Sequence, residues 1–140
     1  MGYHFMQDFF DRVWAQGDLG AVDEMFDPNA RAGGLVPQLQ VGPEDFHVMV
    51  PALRHLIQEI EVKIEHSIQA GDWLWSLVRL QGVAADTGRL GVITGQVMCR
   101  IEDGHIKEAY NHFDFMPFFE QLGMLPENTM ETLMTGGTIG

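Results

Sequence analysis

Three side chains that can move or bind a proton alternate near the end of a strand-like segment: Tyr110, His112 and Asp114. Residues two apart on a β-strand share one face, so the three side chains should point the same way. A carboxylate in apolar surroundings can act as a general acid or base, histidine titrates near neutral pH, and a tyrosine hydroxyl can donate to an oxyanion. The spacing therefore predicts proton-transfer chemistry on a small molecule, with Asp114 and His112 as the catalytic residues.

Each of these residues also has a structural interpretation. An apolar segment from Phe115 to Leu122 follows Asp114 and predicts a short helix, and aspartate is a favoured helix N-cap. Asp114 is thus either an acid/base or the cap of that helix. A single histidine such as His112 could be a hydrogen-bonded wall residue, and Tyr110 could simply pack. The sequence leaves these alternatives open.

The three residues belong to a predicted β-hairpin. Asp103-Gly104 stands between two alternating segments, and glycine takes the positive φ of a tight turn at no steric cost. If Arg100 pairs roughly opposite Ile106, one face of the hairpin contains Thr94, Gln96, Met98, Glu108, Tyr110, His112 and Asp114. The other face then contains Ala109, Asn111, Phe113 and Phe115. We expect the first face to line a pocket, because burying its polar groups without a partner would be costly.

Helices are predicted before the hairpin. Apolar residues at helical spacing indicate an amphipathic helix from Gly2 to Gln16, whose aromatic face includes Trp14. Asp18 and Gly42-Pro43 have the residue types of helix starts and predict two more helices. All three helices need an apolar surface to cover.

Two strands should supply part of that surface. The segment from Ile60 to Ile68 alternates apolar and polar residues, which places His66 on the apolar face as a core histidine or a ligand contact. The segment from Trp73 to Ala84 has no polar face. Helices can cover only one side of a single curved sheet, so the other side should meet a second subunit. The sequence therefore predicts a homodimer through the sheet.

Composition limits the classes of function. The chain of 140 residues fits one domain, 1–140, with an aperiodic tail at 127–140. A net charge of −12 argues against nucleic-acid and anionic-membrane partners, which require clusters of Lys and Arg. One cysteine, Cys99, cannot form an internal disulfide, and no signal or membrane-spanning segment is visible. A cytoplasmic protein is expected.

No motif predicts a metal or an organic cofactor. The six histidines include no i, i+4 pair, and the Gly-x-Gly-x-x-Gly fingerprint of dinucleotide binding is absent. Nucleophilic catalysis has equally little support, because Cys99 faces away from Asp114 by strand parity and no Gly-x-Ser-x-Gly occurs. A small-molecule enzyme of this kind would be cofactor-independent.

A series of residues in the closing part of the chain is typical of a known family. Its members are Arg100, Asp103-Gly104, Ile106, Glu108, Tyr110, Asp114 and Gln121-Leu122-Gly123. The series resembles the SnoaL-like polyketide cyclase family, within the nuclear transport factor 2-like superfamily, and the resemblance covers roughly residues 14–126. It implies an α+β fold: a cone-shaped, strongly curved antiparallel sheet, with three helices from the N-terminal half packed on its concave side around a pocket.

The resemblance also implies a function. Cyclases of this family use an Asp at the place of Asp114 as acid/base for carbon–carbon ring closure. We therefore expect cyclase- or isomerase-like acid/base chemistry on an apolar, carbonyl-bearing substrate in the pocket. The expected substrate-binding residues are Trp14, His66, Arg79, Gln96 and Tyr110.

The chain departs from the cyclase pattern in two places. The cyclases pair the Asp with a histidine on the first strand of the hairpin, where the same-face positions here are Gln96, Met98 and Arg100. In addition, Gly82-Val83-Ala84-Ala85-Asp86 replaces the usual Gly-Thr-His-x-Gly. These departures motivate one alternative, a non-catalytic small-molecule binding protein. The two apolar faces of the segment from Trp73 to Ala84 motivate another, an oligomerisation or partner-binding module. An epoxide hydrolase of this fold, for which Arg79 and Asp114 could supply two members of the site, is a minor alternative.

Overall fold

A curled, unclosed six-stranded sheet forms the centre of the protein. The computed structural model describes residues 2–36 and 38–140. The strands are β1 (Phe26–Val36), β2 (Leu39–Val41), β3 (Ile57–Ala70), β4 (Trp73–Ala84), β5 (Leu90–Glu102) and β6 (His105–Phe113). Their order across the sheet is β2-β1-β6-β5-β4-β3.

Five α-helices accompany the sheet in the described part of the chain. They are α1 (Gly2–Phe10), α2 (Leu19–Met25), α3 (Pro43–Leu56), α4 (Phe115–Gln121) and α5 (Thr129–Met134), and a π-helical segment (Asp11–Ala15) continues α1. Buried side chains of α1, α2 and α3 share one core with the sheet, as Phe9 and Val22 do with Val97 of β5. The predicted α+β fold, with helices on the concave side of a curved sheet, is confirmed.

The predicted helix starts are confirmed by their hydrogen bonds. The Asp18 carboxylate accepts the N–H of Ala21 at 3.2 Å, and the Asp45 carboxylate accepts the N–H of Gly42 at 2.8 Å. Each bond satisfies an N–H group that has no partner within its helix.

One pairing in the sheet differs from the prediction. β1 runs parallel to β6, whereas the other strand pairs are antiparallel. A hairpin connection imposes antiparallel pairing. About half of the chain lies between β1 and β6, so no short turn sets their direction, and the sheet is mixed rather than antiparallel.

A β-bulge in β3 decides the direction of His66. Ile64 pairs with Val78 of β4, but the next pair is His66 with Leu77, so Glu65 is an extra residue on β3. An extra residue shifts the alternation of the side chains that follow it. His66 is consequently exposed, and the prediction that it lies on the apolar face is wrong.

The Gln121-Leu122-Gly123 series fixes the end of α4 to the sheet. Gln121 Oε1 accepts the backbone N–H of Val92 in β5 at 2.6 Å. Leu122 is buried in a core cluster that includes Phe118, and Gly123 has a φ of +82°, which suits glycine at a helix end. These residues of the family series therefore have a clear structural role.

Two segments are more ordered than the sequence predicts. Gly33-Gly34 and Pro37 are residue types that predict a loop at 33–42. The segment nevertheless includes the end of β1 and the short β2, while Pro37 lies outside the described residues. The aperiodic tail contains α5, where Glu120 accepts the N–H of Met130 at 2.8 Å. Among the described residues, no helix is long and apolar enough to cross a membrane.

Candidate functional site

A cavity lies between the helices and the concave face of the sheet. About 700 Å³ of space in and around it is free of protein atoms, a volume that includes open solvent at the mouth. The helices α1, α3 and α4 contribute to its wall together with β1, β4, β5 and β6. Wall residues include Phe10, Trp14, Phe46, Val97, Asn111 and Phe113.

Most of this wall is apolar. Among the described residues, only Asn111, Cys99 and Trp14, through its indole N–H, have side-chain polar atoms in the wall. Burial raises the pKa of the Cys99 thiol to about 12, so the thiol stays protonated near neutral pH and is a poor nucleophile. Asn111 does not titrate. The wall can therefore bind a polar group, but it contains no side chain that exchanges protons near neutral pH.

Trp14 lines the cavity, as the sequence predicts. It belongs to the π-helical segment, and π-helical turns often occur at functional sites. Its indole contacts the ring of Phe46, with ring centroids 5.9 Å apart. At the end of this segment, Arg54 of α3 donates hydrogen bonds to the backbone carbonyl oxygens of Trp14 and Ala15. Carbonyl groups at a helix end have no partner within the helix, so the guanidinium supplies one. The π-helical segment and α3 together fix the position of Trp14.

The other predicted binding residues and His112 lie on the outer face of the sheet, away from the cavity. Gln96 pairs with His112, and Tyr110 occupies the next outward position on β6, so these side chains do share a face. Arg79 is exposed on β4, beside Lys63 of β3. The expectation that this face lines the pocket is wrong. The residues concerned are His66, Arg79, Gln96, Tyr110 and His112.

The more apolar face of the hairpin meets the helices instead. Val97 and Asn111 pair across β5 and β6, and both line the cavity. Phe113 follows on the same face, with its ring centroid 6.4 Å from that of Phe10. Burial of the aromatic side chain releases more free energy than burial of histidine or glutamine would. This difference explains why the face with Asn111 and Phe113 packs inward.

Asp114 lies at the corner between β6 and α4. Its backbone N–H donates to the carbonyl oxygen of Thr94 at 2.9 Å, while its side chain is exposed and makes no capping hydrogen bond. The side chain is not part of the cavity wall, although Phe113 and Phe115 on either side of it are. The Asp114 side chain is therefore neither in the pocket, as an acid/base would be, nor bonded to the N–H groups of α4, as a helix cap would be. The catalytic roles of Asp114 and His112 stay predictions.

Tyr110 belongs to a hydrogen-bonded network on the outer face. Its hydroxyl donates to Glu108 at 2.6 Å, and Arg100 Nε donates to the other carboxylate oxygen of Glu108 at 2.8 Å. These two bonds hold the pKa of Glu108 below its ordinary value, with the Tyr110 bond the larger cause. The Glu108 carboxylate in turn raises the pKa of Tyr110. Trp73 stacks on Tyr110 with ring centroids 6.3 Å apart.

A protein-family model described as SnoaL-like polyketide cyclase matches residues 4–122. The chain belongs to the SnoaL-like polyketide cyclase family. The resemblance inferred from the closing residues is thereby confirmed. Family and fold together support a small-molecule function of the cyclase or isomerase type. None of the curated proteins matches the chain.

Solved structures share the fold of this SnoaL-like chain. A candidate polyketide cyclase from Bacillus cereus has a TM-score of 0.77 at 20% identity, over 87% of this chain and 80% of that one. The candidate polyketide cyclase IdmH from Streptomyces antibioticus has a TM-score of 0.74 at 20% identity, over 86% and 96%. A Catenulispora acidiphila protein with a ketosteroid isomerase-like fold, solved with trimethylamine, has a TM-score of 0.75 at 13% identity, over 89% and 96%.

Asn111, whose amide lies in the cavity wall of this SnoaL-like fold, is not among the predicted site residues. The available signal was its position between Ala109 and Phe113 on the second face of the predicted hairpin. A polar residue on an otherwise apolar strand face indicates either a buried hydrogen bond or a ligand contact.

Proposed function

We propose that this SnoaL-like protein binds a small, largely apolar, carbonyl-bearing molecule in the cavity. The observation that carries the proposal is the composition of the wall, whose described residues are apolar except for the Cys99 thiol, the Trp14 indole N–H and the Asn111 amide. Removing apolar ligand surface from water supplies affinity, and a few placed polar groups orient the ligand. The family supports the same class of ligand, because its small-molecule function is of the cyclase or isomerase type.

A cavity-filling variant tests the binding site. Ala109 is buried in the cavity wall, whereas Ala85 is exposed in the turn after β4. Ala109→Leu should abolish binding of acetophenone, measured by calorimetry or ligand-observed NMR, and Ala85→Leu should bind it as the wild type does. Thermal melts check that both variants are folded. Unchanged binding by folded Ala109→Leu would place the ligand elsewhere and refute the proposal.

Acid/base catalysis on the bound molecule is the finer part of the proposal. Asp114 is the candidate group because it stands between two wall residues, Phe113 and Phe115, and because the family supports this type of chemistry. A group that moves protons at a carbonyl-bearing ligand should speed exchange of the acetophenone methyl protons with deuterated water. Asp114→Asn cannot accept a proton and should slow this exchange by a factor on the order of 100, with binding unchanged.

A non-catalytic binding protein is the second candidate. The wall favours it because none of its described side chains titrates near neutral pH. The exchange experiment separates the two candidates. Exchange no faster than in buffer, in a protein that binds acetophenone, supports the binding protein. Exchange that is fast in the wild type and equally fast in Asp114→Asn would remove Asp114 from the mechanism.

A homodimer through the outer face of the sheet is a further part of the proposal. Three side chains in one row across the sheet are strongly exposed there: Ile68 of β3 at 63%, Met98 of β5 at 43% and Tyr110 of β6 at 46%. Trp75 of β4 stands between Ile68 and Met98 in this row. Trp73 and Trp75 of β4 lie beside them and are half-buried. Contiguous exposed apolar surface of this kind usually marks an interface, and a second copy can cover it by a two-fold contact.

A further inference from the structure

Asn111 is the one residue in the described wall of the cavity that has a side-chain amide. It pairs with Val97 across β5 and β6, and both side chains line the wall. The neighbouring inward positions on β6 are Ala109 and Phe113, which have no side-chain polar atoms. A ligand that fills the cavity and carries an oxygen atom therefore has one amide available to it in the described wall.

The orientation of this amide is fixed. Nδ2 lies 3.0 Å from the carbonyl oxygen of Gly33. Because that carbonyl can only accept, the atom facing it must be the NH₂ group, which settles which end of the amide is which. One N–H of Asn111 is used in this bond. The second N–H and the carbonyl oxygen Oδ1 make no hydrogen bond among the described residues.

In the described part of the chain, no charged side chain lines the cavity. The wall contains no Lys, Arg, His, Asp or Glu among the described residues, and the Cys99 thiol is protonated. A carboxylate or an ammonium group would lose its hydration on entry and would find no opposite charge. A ketone or an alcohol loses much less and regains a hydrogen bond from the amide.

We propose that Asn111 is the specificity-determining residue of the cavity and that it selects neutral molecules with one oxygen function, a ketone or an alcohol, against hydrocarbons and ions. The inference rests on the proposed function, since it assumes that the cavity binds a small molecule. It adds the charge state of that molecule, the position of its polar group and the residue that recognises it.

Three probes of similar shape test the selection: acetophenone, the hydrocarbon α-methylstyrene and benzoate. The wild type should bind the ketone about three- to tenfold more tightly than the hydrocarbon, the range for one neutral hydrogen bond, and benzoate on the order of 100-fold more weakly than the ketone. Asn111→Leu should lose this preference and bind the hydrocarbon at least as tightly as the ketone, because the ketone then loses its hydration without regaining a hydrogen bond from the amide. The control Asn29→Leu, on an exposed position of β1, should keep the wild-type preference.

Each outcome decides the matter. Equal binding of ketone and hydrocarbon by the wild type, or a preference that persists in Asn111→Leu, overturns the role of Asn111 and leaves the proposed cavity function standing. Failure of all neutral probes to bind the wild type overturns the proposed function and this inference together.

If Asn111→Leu does not fold, a measurement on the wild type replaces the variant: the position of the infrared carbonyl band of bound acetophenone. A band below its position in hexane supports the hydrogen bond, and a band at the hexane position refutes it.

Discussion

The backbone of Gly34 lies directly against the backbone carbonyl oxygen of Asn111. A Cβ on Gly34 would stand 1.8 Å from that oxygen, and Gly34 has a φ of +86°, in the region that favours glycine. β1 and β6 therefore approach each other at a point where only glycine fits. The same approach brings the backbone carbonyl of Gly33 to the side-chain amide of Asn111. The shape of the cavity and the direction of the Asn111 amide in it therefore depend on this one contact between β1 and β6.

Gly34→Ala should disrupt this junction. The added Cβ meets backbone, which cannot move aside as a flexible side chain can, so the free energy of unfolding should fall by about 3 kcal/mol or more. Gly71→Ala is the matched control, because Gly71 also has a positive φ, +60°, but no atom within 4 Å of its Cβ position. It should cost roughly 1–2 kcal/mol, the cost of the left-handed conformation alone. Urea denaturation measures both, and equal losses would contradict the close approach.

Gln121→Ala should loosen α4. The variant leaves the Val92 N–H without its acceptor and should lower the free energy of unfolding by about 0.5–1.5 kcal/mol. Amide hydrogen exchange at Val92 should speed up as well. Gln40→Ala, on an exposed position of β2, is the control and should change stability by less than about 0.5 kcal/mol. If Val92 exchanged at the wild-type rate in Gln121→Ala, the anchoring role would be wrong.

Tyr110→Phe should raise the pKa of Glu108, because the tyrosine hydroxyl is the larger of the two hydrogen-bonding causes that lower it. A carboxylate whose pKa is depressed on folding contributes stability above its unfolded pKa of about 4.3, and this contribution is lost as the pH falls through the folded pKa. The wild type should therefore exceed Tyr110→Phe in stability at neutral pH, and the difference should shrink on acidification. NMR titration of the Glu108 carboxyl carbon checks the direction, and an unchanged pKa would contradict it.

Met98→Glu should break the proposed dimer. Met98 lies at the centre of the exposed apolar patch, and a charge there would be buried without a partner when two copies meet. Sedimentation should show a dimer for the wild type and a 15.7 kDa monomer for the variant. Met124→Glu changes a similarly exposed methionine beyond α4 and should remain a dimer. A wild type that is monomeric at micromolar concentration would refute the proposed interface.

Local patterns in the sequence were sufficient for much of the fold. Helical spacing placed Trp14 on the inward face of the first helix, and residue types at Asp18 and Gly42-Pro43 marked helix starts that the structure confirms. The Asp103-Gly104 turn lies between β5 and β6, where Asp103 and Gly104 both have positive φ. These features depend on interactions between residues close in the chain, so a single sequence contains them.

The site depended on interactions that no local pattern contains. Alternation correctly grouped Gln96, Tyr110 and His112 on one face, but the free energy of packing against distant helices decides whether that face is inner or outer. One extra residue in β3 then turned His66 outward. The sequence by itself determined the types of the elements and the residues that share a face. Only the tertiary structure decided that Asn111 and Trp14, rather than His112 and Asp114, line the cavity, because the more apolar face gains more from burial.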